Sequence, residues 1–197
     1  MSGNESICPA QCGKAQTEQT LCIRRVMLRP ARAQDAESLE VIRNSEFVLE
    51  FNAMNRLSRD EVEKMVAQDR DSKGALYMER RTDGRLMGAI YLSEDSMRYG
   101  VRAVELSYYL GGAYARQGYM TEALAALIDR IFSEDRAELI SARVFADNKA
   151  SRGLMEKLGF HQDGCLRRAV QGYGGRVHDD CLYSLMRTEW VEKKLCD

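Results

Sequence analysis

Two stretches of the sequence combine residue types and spacing that suit an anionic ligand, and a third holds an isolated carboxylate. In ARQGYMT, residues 115–121, a glycine-bearing turn leads from a strand straight into a helix. Such a junction presents backbone N–H groups without intrahelical partners and the positive end of the helix dipole, which together suit a phosphate. Gly118 would let the backbone come close to that ligand, and Arg116 would add a mobile positive charge. The plainer role for Gly118 is a tight turn; the phosphate patterns GxxxxGK(S/T) and GxGxxG are both absent. In DNKASRGLMEKLGF, residues 147–160, a short helix is specified at both ends. Asn148 can accept from the first-turn N–H groups, Leu154, Met155 and Leu158 form an apolar face, and Gly159 can close the helix left-handed before Phe160 packs back. So short a helix is marginal in water, so its caps make sense if its N-terminus must stand rigidly at something; a well-capped surface helix is the alternative. Glu105 in VELSYYL, residues 104–110, is either a base facing a cleft or an outward charge on a half-exposed strand.

The elements that must position these residues follow from hydrophobic period. Ile23 to Leu28 reads as a strand ended by Pro30, followed by a helix carrying Leu39 and Ile42. Ser58 and Glu61 form a capping box for a second helix with Val62, Met65 and Val66 at helical spacing. ALYMERR and RLMGAIYLS read as a hairpin about Asp83-Gly84, and VELSYYL as the next strand. Behind Gly118, Leu124, Leu127, Ile128 and Ile131 recur at i, i+3, i+4 and i+7, an amphipathic helix that packs on a sheet. ELISARVFA is a strand before the short helix, and CLRRAV and DDCLYSLMRTEW read as two closing strands around GYGG. Hairpins mixed with strand-helix-strand crossovers predict a mixed α/β fold: a twisted sheet with helices on both faces.

The chain has 197 residues, 45% hydrophobic and 30% charged, enough for one substantial core. A formal net charge of −1 with mixed signs argues against nucleic acid. No apolar run approaches the roughly 18 residues of a membrane span, and the first twenty residues lack a signal-peptide core, so a cytoplasmic protein without a membrane partner is expected. Residues 1–21 read as a flexible tail and 22–197 as a single domain, a monomer or homodimer. Cys8, Cys12, Cys22, Cys165, Cys181 and Cys196 are expected to be free thiols; the first three suggest zinc only faintly, and no metal is expected.

The order strand, ARQGYMTEAL, amphipathic helix, strand, DNKASRGLMEKLGF resembles the GNAT acetyltransferases, and within them the ribosomal-protein-alanine N-acetyltransferase branch, from about Val26 to Trp190. GYMTEAL, N-x-x-S followed by EKLGF, and the ending DDCLYSLMRTEW carry the branch likeness. The resemblance implies a mostly antiparallel sheet of six to seven strands splayed at a cofactor cleft. It implies acetyl-CoA as cosubstrate, with Gly118 as the central pyrophosphate-loop glycine and Arg116, Gln117, Tyr119, Met120 and Thr121 as its backbone neighbours. Asn148 and Ser151 take the pantetheine-side positions. The chain departs from the pattern at Ala115, where the family has Gln or Arg, and at Met120, where it has a small residue. It departs again at Met155, where many members carry a tyrosine acid, and at Val170, where the ribosomal-protein branch carries an acidic residue.

Acetyl transfer to an amine needs a base, a polarised carbonyl and a proton for the departing thiolate. Glu105 is the candidate base, main-chain N–H groups near Tyr109 and Leu110 the candidate polarisers, and Ser151, ahead of Tyr119 or water, the candidate acid. Tyr108, Tyr109 and Tyr183 could shape an acceptor pocket or simply pack in the core; Asp179 and Asp180 could attract a cationic amine or solvate a strand edge. The expected function is N-acetylation of a primary amine, a protein N-terminus among the acceptors. A small-amine acetyltransferase and a non-catalytic acyl-CoA-binding regulator are the alternatives.

Overall fold

The computed structural model describes residues 20–196. Residues 1–19, with Cys8, Cys12 and most of the expected tail, lie outside the described residues. After two short strands, β1 (Leu21–Cys22) and β2 (Val26–Arg29), three helices follow: α1 (Ala36–Arg43), α2 (Glu46–Leu49) and α3 (Arg59–Asp71). The capping box opens α3: the Ser58 N–H donates to Glu61 Oε2 at 2.7 Å, and the Glu61 N–H returns to Ser58 Oγ at 3.4 Å. The hairpin is β3 (Ala75–Arg80) and β4 (Leu86–Glu94), its turn closed by Gly84 at φ +70°. Then come β5 (Ala103–Leu110), α4 (Tyr119–Ser133), β6 (Leu139–Phe145), α5 (Lys149–Leu158), β7 (His161–Gln171), β8 (Val177–Met186) and α6 (Arg187–Cys196).

The strands form one sheet in the order β1-β2-β3-β4-β5-β6-β8-β7, antiparallel everywhere except β5 with β6. It has eight strands rather than six or seven because Leu21–Cys22 folds back on Met27–Leu28 as an extra edge pair. The last expected strand is shorter than its hydrophobic pattern suggests: β8 ends at Met186, whose N–H donates to Glu189 at 2.8 Å, and the chain turns into α6. There Trp190 is buried and donates its indole N–H to Asp129 on α4 at 2.7 Å, which a sheet position would not allow.

Each sheet face has its own core. Leu124, Leu127, Ile128 and Ile131 of α4, with Met155 and Leu158 of α5, pack against Leu106, Ile140 and Leu185 on one face. On the other, Leu39, Val62 and Val66 of the first helices cover Tyr77, Ala89 and Tyr109. The second core is bounded by a buried ion cluster in which Arg29 reaches Asp35 at 2.7 Å and Glu79 at 2.5 Å. Arg29→Ala is expected to destabilise the fold by about 3–5 kcal/mol, because buried Asp35 loses its only guanidinium among the described residues and Glu79 keeps only the half-exposed Arg32 at 3.0 Å, whereas a volume-matched apolar replacement of Arg29, Asp35 and Glu79 would cost less. Chemical denaturation of the single and triple variants measures the difference.

Candidate functional site

β5 and β6 are joined only from Ala103 to Leu106 and from Leu139 to Ala142. Beyond that point β5 runs on to Leu110 and β6 to Phe145 without pairing to each other, so the sheet opens into a wedge. A cleft of about 700 Å³ fills it, with Ser107–Leu110 and Arg143–Phe145 on its two walls. Backbone polar groups exposed by the splay are free to bind a ligand instead of a neighbouring strand.

The turn ahead of α4 forms one end of the cleft. Arg116 adopts φ +57° and Gly118 φ +78°, two left-handed residues that fold the chain tightly into the helix. The ladder of α4 begins with the Glu122 N–H on Gly118 O at 3.0 Å, so the N–H groups of Tyr119, Met120 and Thr121 precede it. Arg25, just before β2, braces this turn: its guanidinium reaches Glu122 at 2.6 Å and Gln117 O at 3.0 Å and lies over the Tyr119 ring. Nothing in the local sequence connects Arg25 with the turn, because the contact spans more than ninety residues.

α5 forms the wall beyond β6. Asn148 Oδ1 accepts from the Ser151 N–H at 3.0 Å, Gly159 closes the helix at φ +90°, and the Phe160 N–H returns to Met155 O at 3.0 Å. This rigid frame sets the Ser151 hydroxyl 2.5 Å from the Tyr108 hydroxyl on β5. Burial pushes the Tyr108 phenol up to about 12, against the opposing effect of the Ser151 hydrogen bond, so it is a neutral donor at physiological pH. Met155 faces the core.

Glu105, half-buried, lines the same cleft, and its carboxylate has no hydrogen bond or ion pair among the described residues. Burial pushes its carboxyl above the usual range; Arg143 pulls it back, while Asp95 and Asp180 push it further up. Asp180 also lines the cleft but is held by Arg143, Nε to Oδ2 at 2.7 Å.

Of the residues singled out from the sequence, the fold gathers Glu105, Tyr109, Leu110, Arg116, Gly118, Tyr119, Met120, Thr121, Asn148 and Ser151 around this cleft. Gln117 stands apart, with its side chain donating to Ala113 O at 2.8 Å. Tyr183 is in the core beneath α5, hydrogen-bonded to Arg152, rather than in the cleft. Asp179 is on the surface, accepting from the Arg168 N–H at 2.7 Å. Residues missed in the sequence are Arg143, which alternates with apolar neighbours in an ordinary strand pattern, and Phe47, Phe51 and Asn52, which reach the cleft from α2 and the loop after it. Ser45, which accepts from the Val48 N–H, was the available signal for α2. Arg56 donates to the Tyr173 hydroxyl at 3.0 Å and ties the α2–α3 loop to the β7–β8 turn.

The family model described as an acetyltransferase (GNAT) domain matches residues 25–161. A Bacillus subtilis relative named as an uncharacterized N-acetyltransferase, YoaA, is 26% identical over 169 residues, covering 83% of this chain and 94% of its own. A GNAT-family acetyltransferase from Bacillus anthracis superposes with a TM-score of 0.78 at 19% identity, over 86% of this chain and 99% of that one. RimL, a ribosomal L7/L12 alpha-N-protein acetyltransferase solved with coenzyme A, superposes with a TM-score of 0.73 at 18% identity, over 85% and 97%. At these identities the two solved structures speak for the fold.

Proposed function

Because the chain belongs to the GNAT family of acetyltransferases, we propose that its wedge-shaped cleft transfers acetyl from acetyl-CoA directly to a primary amine, and that residues 22–197 form the one domain that does so. The observation that carries this reading is the placement of a base candidate and a hydroxyl pair in one cleft, with an anion-suited turn at its end. The site fits the cosubstrate: left-handed Gly118 leaves room for close approach of a pyrophosphate, and the facing edges of β5 and β6, not paired to each other there, suit an extended pantetheine arm. Acetyl-CoA supplies an activated thioester.

The chain's own residues do the rest. Glu105, raised above the usual carboxylate range and unpaired, takes a proton from the arriving ammonium directly or through a water. Main-chain N–H groups near Tyr109 and Leu110 orient the acyl oxygen. Ser151 gives its proton to the departing sulfur and is resupplied by Tyr108, which takes the place of the absent α5 tyrosine and regains a proton, through cleft water, from the nitrogen as it loses its second one on becoming an amide.

A protein N-terminal α-amine is the acceptor this reading favours, supported by the likeness to RimL and by the open, partly acidic wall of Glu105 and Asp180. A small amine is the second reading, favoured by Val170, which puts an apolar side chain into the cleft where the ribosomal-protein branch has an acid. Thiol release from acetyl-CoA, measured with N-terminal peptides and small amines, separates the two, and the absence of turnover with every acceptor in a panel that includes both would leave a non-catalytic acyl-CoA binder. Tyr108→Phe is expected to lower kcat about 10–100-fold while KM for acetyl-CoA changes little, a modest share of the range typical for proton transfer. The double variant with Ser151→Ala should be barely worse than the worse single one, because the two hydroxyls act as a unit. Additive losses would mean that the two hydroxyls act independently rather than as one relay.

A further inference from the structure

Two of the cysteines face each other across the outermost strand pair: Cys165 on β7 is directly opposite Cys181 on β8, with their sulfurs 3.6 Å apart. Directly opposed residues of antiparallel strands have Cα atoms about 4.5–5.5 Å apart, within the roughly 4.4–6.8 Å that a disulfide spans. The sulfurs need to close only to about 2.05 Å, a change of the size that side-chain rotation covers. Cys165 is exposed, whereas Cys181 is buried.

We propose that Cys165 and Cys181 are an oxidisable pair that closes to a reversible cross-strand disulfide, stapling the strand that carries Asp180 into the cleft. The position gives the staple something to hold. The β7–β8 register shifts between Gln162 and Gly164 and again between Leu166 and Val170, so Gly164, Cys165 and Leu166 form a short in-register island between two irregularities. Leu166 is paired with Asp180, and Cys181 with Val144 on β6; both Asp180 and Val144 line the cleft. A bond at Cys165 therefore fixes the register one residue from the Asp180–Arg143 ion pair.

The chemistry balances with a peroxide as oxidant. The exposed Cys165 sulfur attacks the peroxide, the O–O bond breaks, and Cys165 becomes a sulfenic acid with release of one water. The Cys181 sulfur then attacks the Cys165 sulfur; the S–O bond breaks and the hydroxide leaves with the Cys181 proton as a second water. Two thiols are oxidised by two electrons and one peroxide is reduced to two waters. Burial pushes the Cys181 thiol up to about 11, as does its hydrogen bond to Cys165, so Cys181 is the protected resolving partner and Cys165 the sulfur an oxidant meets.

The test uses the full chain, treated with hydrogen peroxide, alkylated and digested with trypsin. Cleavage at Lys157, Arg167, Arg176 and Arg187 places Cys165 in peptide 158–167 and Cys181 in peptide 177–187, so their bond appears as one linked species. The expected result is that most of the Cys165-bearing material is linked to 177–187, that dithiothreitol returns both peptides, and that Cys165→Ser, a surface change, abolishes the species. Cys181→Ser should instead leave Cys165 over-oxidised to the sulfinic acid. Wild-type Cys165 found over-oxidised without linkage, or linked to Cys8, Cys12, Cys22 or Cys196, would overturn the proposal.

Discussion

Glu105→Gln is expected to lower turnover at pH 7 by about 10²–10⁴-fold while leaving acetyl-CoA affinity nearly unchanged, the factor typical of losing a general base. The reason is proton bookkeeping. A lysine-like amine has a pKa of about 10.4 and a protein N-terminus about 7.7–8.0, so either arrives mostly protonated and cannot attack. Glu105 is the cleft carboxylate with the freedom to take that proton: Asp180 is bound through Oδ2 to both Nε and Nη2 of Arg143, whereas Glu105 has no such partner among the described residues. Burial, the largest influence on Glu105, raises its carboxyl, which makes it a stronger base than a surface glutamate once ionised. The sign of the pH effect follows: a base acts when deprotonated, so wild-type kcat/KM falls as pH drops through the raised carboxyl pKa. The glutamine variant lacks that acid-side limb and recovers partly at high pH as free amine accumulates. Steady-state kinetics from pH 5 to 10 and calorimetry with acetyl-CoA read both effects. Wild-type turnover in Glu105→Gln would make Glu105 an ordinary strand residue and move the search for the base to Asp180.

How much of this is legible in the sequence depends on how local each cause is. The capping box of α3, the Asp83-Gly84 hairpin and both caps of α5 rest on contacts within a few residues, and the expected partners are the ones found. The α4 stripe was likewise visible, since i, i+3, i+4 spacing has one geometric meaning. The end of β8 was not, because the apolar pattern continues into Trp190 and only the Glu189 contact with the Met186 N–H marks the switch to helix. Long-range partners were invisible for the same reason. Arg25 reads as one of several basic residues near β2 until it is found on Glu122 and Gln117. Tyr108 reads as a pocket wall or a core aromatic, and only the splay of β5 from β6 leaves its hydroxyl on Ser151. Sequence spacing thus found the turn, the helix and the carboxylate, while the charges that brace and tune them belong to tertiary structure.

Gly118→Val is the substitution expected to cost most in cosubstrate binding. Gly118 sits at φ +78°, ψ +2°, a left-handed conformation a β-branched residue adopts only under strain of about 1–3 kcal/mol. A Cβ there would also stand 3.3 Å from Arg25 Nη2, pressing on the guanidinium that braces Gln117 O and Glu122. The turn can relieve both only by moving, and moving takes the N–H groups of Tyr119, Met120 and Thr121 away from where a pyrophosphate would sit. Losing these charge-assisted contacts should cost on the order of 2–4 kcal/mol, about 30- to 1000-fold in Kd for acetyl-CoA. Arg116→Ala should cost less, because the exposed side chain contributes a screened charge. Calorimetry supplies the affinities, and the thermal midpoint of each variant without ligand separates lost binding from lost fold. Gly118→Ala, which shares the left-handed penalty but not the bulk, should fall between wild type and valine. A folded Gly118→Val chain that binds acetyl-CoA like the wild type would show that the turn before α4 does not hold the pyrophosphate, whatever Glu105 does at the other end of the cleft.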